Sequence, residues 1–186
     1  EYMQTSDPFI YAVGDLVSVY FSQSNTPSYI PLVTNAYRTG IIAATNILLD
    51  VKIPFPVVQR TIASELFAYY LASTGINEDE APYYGLSVQS VSKTYGKTAL
   101  FSLETDFEIT IKFVFDRHSK QLLGGQIISN HEKSLELINT LSGLITKQTT
   151  LDEMLTMDFY FNPKFSNPLH FFNDLALEGI LKVNRR

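Results

Sequence analysis

Between Phe107 and Phe115 apolar and polar side chains alternate: Phe107, Ile109, Ile111, Phe113 and Phe115 share one side, and Glu108, Thr110 and Lys112 share the other. A period of two marks a half-buried strand, so this segment is predicted as a core strand. Asp116 to Lys120 suits a turn, and Leu122 to Ser129 follows as a second strand, which predicts an antiparallel hairpin. The spacing then becomes helical. Leu135, Ile138, Leu141 and Leu144 recur at every third position, predicting a helix that Asn130 caps and that runs to about Ile145. A short helix is expected over Leu151 to Met157. A last one is expected from Pro168, behind Asn167 as cap, to about Leu181, with Phe171, Phe172 and Leu175 turned inward.

Upstream, Val57 to Ile62, Leu66 to Ala72 and Leu86 to Tyr95 are rich in β-branched or aromatic residues and are predicted as strands. Gly75 should end the second, and Gly96 should turn the chain after the third. Asn77 and Glu80, three apart, form a capping-box pattern for a brief helix that Pro82 and Gly85 stop. Pro54 and Pro56 break regular structure, which places a domain boundary between residues 55 and 56. The part beyond it, 56–186, lists strands first and helices afterwards, the order of an α+β layer with an antiparallel sheet packed against helices. The part before it, 1–55, differs in character. Phe9 to Val13 is a continuous apolar run closed by Gly14, as expected of a strand covered on both faces in a parallel sheet. Val17 to Ser28 reads as loop. A helix is predicted from Pro31, at the first helical position, to Leu49, with Ala36, Gly40 and Ala44 as a closely packed stripe.

Composition narrows the function. The chain has 186 residues, 45% apolar and 13% aromatic, enough for a substantial core. A net charge of −5 with scattered Lys and Arg lacks the basic stripe of a nucleic-acid binder. No run approaches the roughly 18 apolar residues of a membrane span, and a cytoplasmic, soluble protein is expected. Zero Cys and three His leave neither a thiolate nor a histidine cluster for a metal, so none is expected.

Asp15, released by Gly14 at the end of the expected strand, lies where open α/β sheets bind ligands and can accept hydrogen bonds from sugar-like hydroxyls. An Asx turn accounts for the same heptapeptide and, taken alone, is the better account. The amino end of the helix after Pro31 offers unpaired amides and partial positive charge, a feature every helix shares. His118, His131 and His170 are read as solvated or structural. The run Phe159-Tyr160-Phe161-Asn162-Pro163-Lys164-Phe165 holds more aromatic surface than a connecting loop needs. Core packing and contact with a partner are equally good accounts of it.

Together, Ile10 to Asp15 with Ile30 to Ala36 and Arg38-Thr39-Gly40 resemble the second flavin-binding segment of the pyridine nucleotide-disulfide oxidoreductases. Ser73-Thr74-Gly75, Leu123-Gly124-Gly125-Gln126, Thr150-Leu151 and Phe161 to Phe165 resemble that family's C-terminal dimerisation domain. Within it the chain looks most like the bacterial FAD-dependent NADH oxidases, with NADH peroxidases and coenzyme A-disulfide reductases as neighbours. The resemblance implies an α+β dimerisation domain preceded by a remnant strand and helix of an α/β FAD-binding domain, that is, a C-terminal piece. The glycine-rich fingerprint, nicotinamide domain and redox cysteine are expected upstream of it.

It further implies a homodimer in which NADH passes a hydride to FAD and electrons go on to dioxygen. Asp15 would hold a ribityl hydroxyl of FAD, and Leu32 and Val33 would present amides to the flavin pyrimidine edge. Phe161, Pro163 and Phe165 would face the partner subunit's active site. No catalytic residue is expected in the chain, which alone should be inactive and hold FAD weakly. Coenzyme A-disulfide reductases resembling it carry a tyrosine where Phe161 stands, which favours oxygen or peroxide as acceptor. The competing expectation is a non-catalytic dimerisation module.

Overall fold

The structure is a computed structural model that describes residues 2–24, 26–96, 107–163 and 166–184. It divides into two compact units, Glu1–Arg60 and Thr61–Arg186. The division falls five residues beyond the expected boundary. Val58 explains the shift: it bridges Phe21 in parallel, its amide donating to the Tyr20 carbonyl at 2.8 Å. The residues after Pro56 thus stay with the first unit.

The first unit has one long helix, α1 (Val33–Leu48), and a small antiparallel pair, β1 (Val19–Phe21) with β2 (Thr26–Ser28). That pair replaces the loop expected over Val17 to Ser28. The strand expected at Phe9 to Val13 is corrected too. Those residues form no ladder; Tyr11 makes only an isolated antiparallel bridge with Gln4, and Phe9 is 92% exposed. An apolar run becomes a strand only when a neighbour takes its amides and carbonyls, and no described strand lies alongside. Pro31 is also not the first helical residue, since α1 starts two residues later behind Leu32.

The buried stripe of α1 is not Ala36, Gly40 and Ala44. It is Asn35, Thr39, Ala43 and Asn46, and Gly40 has nothing within 4 Å of where a Cβ would sit. Buried polar groups need partners, and these have them. Asn35 Nδ2 donates to the Ile30 carbonyl (3.1 Å), and Thr39 Oγ1 accepts from the Gly14 amide (2.9 Å). Asn46 donates to the Tyr2 and Ile53 carbonyls while accepting from the Ile53 amide (2.7 Å). This helix holds its flanking segments by hydrogen bonds rather than by apolar contact.

The second unit is a five-stranded antiparallel sheet in the order β3 (Ile62–Leu66), β4 (Tyr69–Gly75), β7 (Leu122–Ser129), β6 (Glu108–Asp116), β5 (Val88–Gly96). Three helices, α2 (Leu137–Thr146), α3 (Leu151–Leu155) and α4 (Phe171–Asn184), cover one face. The alternation in β6 holds: Ile109, Ile111, Phe113 and Phe115 are fully buried against Ile138, Leu141, Leu151, Met154, Phe172 and Leu175. A bulge between Val114 and Phe115 lets both turn away from water.

Several boundaries move. The strands expected over Val57 to Ile62 and Leu66 to Ala72 are instead Ile62–Leu66 and Tyr69–Gly75, joined as a hairpin by a turn at Phe67, which adopts φ 55°. Asn130 is not a helix cap; its Oδ1 accepts the Glu108 amide, and a 3-10 turn, Glu132–Glu136, leads into α2. The capping box at Asn77 and Glu80 forms as expected and opens a 3-10 turn, Ala81–Tyr84, that Gly85 ends at φ 67°.

Candidate functional site

Gly14 and Asp15 begin a short 3-10 turn, Gly14–Leu16. Gly14 has φ +74°, a conformation that L side chains seldom adopt, and a Cβ there would lie 3.8 Å from Ala36 Cβ. Its amide is tied to Thr39 Oγ1, which in turn bonds the Asn35 carbonyl at 2.8 Å. The turn is thereby fixed beside α1. Asp15 itself is exposed, and its carboxylate has no hydrogen bond or ion pair with any described residue. The Val17 amide goes to the Gly14 carbonyl and not to Asp15, so the Asx turn is absent.

The start of α1 carries no side-chain cap. The Leu32 amide already bonds the Ile30 carbonyl (2.9 Å), and the Ala36 amide closes the first helical turn on Leu32. The amides of Val33, Thr34 and Asn35 precede that first bond and have no intrahelical acceptor. Of the two residues expected to present amides, Val33 is so placed and Leu32 is engaged. Thr34, not singled out from sequence, joins Val33. A positive helix end and a carboxylate without a partner thus lie on neighbouring elements, linked through Gly14, Thr39 and Asn35. Such a pair can accept hydroxyl hydrogen bonds at one place and oppose developing negative charge at the other. Thr39 stood in the sequence only as part of the Arg38-Thr39-Gly40 resemblance, and its anchoring of Gly14 was not legible.

The second unit carries the aromatic segment. Tyr160 is 73% and Phe161 50% exposed, and Pro163 is exposed as well. Phe165, with Lys164, lies outside the described residues. Phe159 instead packs inward, its ring stacked on His170 at 4.1 Å. His170 precedes α4 rather than lying within it, and its Nδ1 accepts the Phe172 amide at 3.1 Å. The helix therefore starts at Phe171, not at Pro168. Burial lowers the His170 pKa to about 4, leaving the ring neutral near pH 7.

Beside it, Asp174 binds Lys93 Nζ (2.7 Å) and accepts from Tyr95 Oη (2.9 Å), fastening α4 to β5. The Asp174 hydrogen bond raises the Lys93 pKa, and burial followed by Asp174 raises that of Tyr95. These groups are locked in structural contacts. No group of His, Asp or Glu able to hold a metal occurs among the described residues. Among them, too, no helix is long and apolar enough to cross a membrane.

Comparison with known proteins identifies the family. The family profile "Pyridine nucleotide-disulphide oxidoreductase, dimerisation domain" matches residues 63–170, more than half of the chain. An NADH oxidase of Enterococcus faecalis is 33% identical over 95% of the chain, a match covering 39% of that relative. The water-forming NADH oxidase from Lactobacillus brevis, solved bound to NADH, superposes with a TM-score of 0.86 at 30% identity. That match covers 99% of this chain and 40% of that one. A NAD-dependent persulfide reductase from A. fulgidus gives 0.90 at 28% identity, covering 99% and 34%. The chain spans about two fifths of the length of the curated relatives it matches. With the α+β fold, the antiparallel sheet and the matched profile in agreement, the chain belongs to the pyridine nucleotide-disulphide oxidoreductases.

Proposed function

We propose that the chain serves as the C-terminal part of an FAD-dependent NADH oxidase. Its first unit would complete the flavin-binding domain, and its second would form the dimerisation domain of a homodimer. Bound FAD would supply the redox chemistry between NADH and dioxygen, and the residues of this chain would hold and orient it. The residues present fit that cofactor. The observation that carries the reading is Asp15, a carboxylate without an internal partner on a turn that Thr39 anchors to α1. Asp15 would accept a ribityl hydroxyl, and the Val33 and Thr34 amides would face the flavin pyrimidine edge. The exposed Phe161 and Pro163, with Phe165, would close the partner subunit's pocket. Phe161 lacks the hydroxyl of the related coenzyme A-disulfide reductases, which favours oxygen over a disulfide.

The test is FAD affinity in the full-length protein. A hydrogen bond to a charged group contributes about 1.5–3 kcal/mol, so Asp15→Ala should weaken FAD about tenfold to a hundredfold with the dimer intact. Unchanged flavin affinity would remove Asp15 from the site. Product analysis decides the acceptor: stoichiometric peroxide consumption or release of free coenzyme A would replace the oxidase with a peroxidase or a disulfide reductase. The 186-residue chain alone should be colourless and inactive with NADH.

A further inference from the structure

The segment between α3 and α4 is closed at its base by two rings. Phe159 and His170 lie face to face, 4.1 Å apart at 16°, and Phe172 meets both edge-on at 6.0 and 5.0 Å. From this neck the chain runs out through the exposed Tyr160, Phe161 and Pro163. It returns through Ser166, whose amide donates to the Asn162 carbonyl (3.0 Å) and whose Oγ accepts the Asn162 amide (3.0 Å). Short surface loops with joined ends are a recurrent way to display side chains.

His170 does two things at once. Its ring closes the neck, and its Nδ1 and carbonyl accept the Phe172 and Asp174 amides, both at 3.1 Å, to start α4. A phenylalanine would supply only the ring, and an asparagine only the acceptor. Imidazole supplies both while Nδ1 is unprotonated, and its depressed pKa of about 4 preserves that state.

We propose that His170 is a positioning residue: by clamping Phe159 it fixes the direction in which Tyr160, Phe161 and Pro163 are presented to the flavin pocket of the partner subunit. The second half of this statement rests on the function proposed above. The first half stands on this chain alone.

Two readouts separate them. On the 186-residue chain, limited chymotrypsin digestion with mass mapping follows cleavage after Tyr160 and Phe161, which tracks opening of the neck. His170→Asn keeps a helix-start acceptor and loses the stack; its cleavage should quicken about two- to tenfold, the range spanned by one aromatic contact. His170→Phe keeps the stack and should cut at the wild-type rate despite a weaker helix start. Phe159→Leu opens the neck from the other side and should match His170→Asn, which guards against a single misfolded variant. Equal rates in the wild type and His170→Asn, or a His170→Phe variant as labile as His170→Asn, would overturn the clamp.

In the full-length flavoprotein, His170→Asn should lower kcat/KM for NADH oxidation about tenfold at unchanged FAD content and dimer mass, with His170→Phe restoring it. Faster cleavage with unaltered turnover would overturn the presentation to the partner's pocket and leave the clamp standing. A wild-type protein that does not consume NADH would instead sink the oxidase reading, and the digestion would still decide the role of His170.

Discussion

Asn173 joins two helices through one side-chain amide, and removing it should be among the costlier single changes in the second unit. It is buried in the first turn of α4, and its Nδ2 donates to the carbonyls of Met154 (2.9 Å), Leu155 (3.2 Å) and Met157 (3.0 Å). Those carbonyls lie at the end of α3 and just beyond it, where helical donors run out, although the Met154 carbonyl also accepts the Met157 amide at 3.4 Å. Two N–H groups shared among three acceptors correspond to about two net hydrogen bonds, at about 1 kcal/mol each. Weakening these carbonyls' hydrogen bonding and emptying a small volume raises the expected loss for Asn173→Ala to about 2–4 kcal/mol.

Asn173→Asp keeps the shape but turns a carboxylate toward three oxygens, so it should cost more than alanine at pH 7. Its folded-state pKa would rise above the unfolded value of about 3.9, so the excess cost should shrink as pH falls toward that value. Urea unfolding of the chain, followed by circular dichroism and referred to wild type at each pH, measures both effects. A loss below about 0.5 kcal/mol for the alanine variant, or an aspartate penalty indifferent to pH, would refute the account.

The other predictions are narrower. His170 has a folded pKa near 4 against about 6.5 unfolded, so its contribution is complete above pH 6.5 and is lost as pH falls toward 4. Allowing for partial exposure, about 1–2 kcal/mol should disappear across that range. Asp116 and Glu78, held low by hydrogen bonds that outweigh burial, lose theirs only within the carboxylate range. The decline between pH 6.5 and 5 should therefore vanish in His170→Asn. Gly124→Ala would set a Cβ 1.8 Å from the Ile76 carbonyl oxygen, a backbone atom that cannot step aside, and should cost several kcal/mol by roughly the measure of core overpacking. Gly143→Ala in α2 meets nothing within 4 Å and should instead raise stability by about 0.5–1 kcal/mol in the same unfolding experiment.

How much the residues announced depended on whether a local rule decided the local structure. The strand Glu108–Asp116 was legible because one face is dry and the other wet, and its partner Leu122–Ser129 followed at the expected limits. The hairpin at Phe67 was not, because a turn with φ 55° normally advertises itself with Asn or Gly, and here Phe-Ala stands in that place. The start of α4 was misread for a similar reason: histidine is outside the usual set of capping residues, yet its Nδ1 does the work expected of Asn167. Phe9 to Val13 reads as a strand by hydrophobicity, but strands are made by neighbours. At the candidate site, Asp15 and the onset of α1 were visible in the sequence. The bond of the Leu32 amide to Ile30 was not, because it is a local contact that no spacing encodes.

Helix α1 wears its polarity inside out. Val33, Tyr37, Ile41 and Leu48 stand on its water side while asparagine and threonine sit beneath. Prepared by itself, residues 1–60 should therefore be a sticky, salt-sensitive polypeptide, better behaved in mild detergent than in buffer.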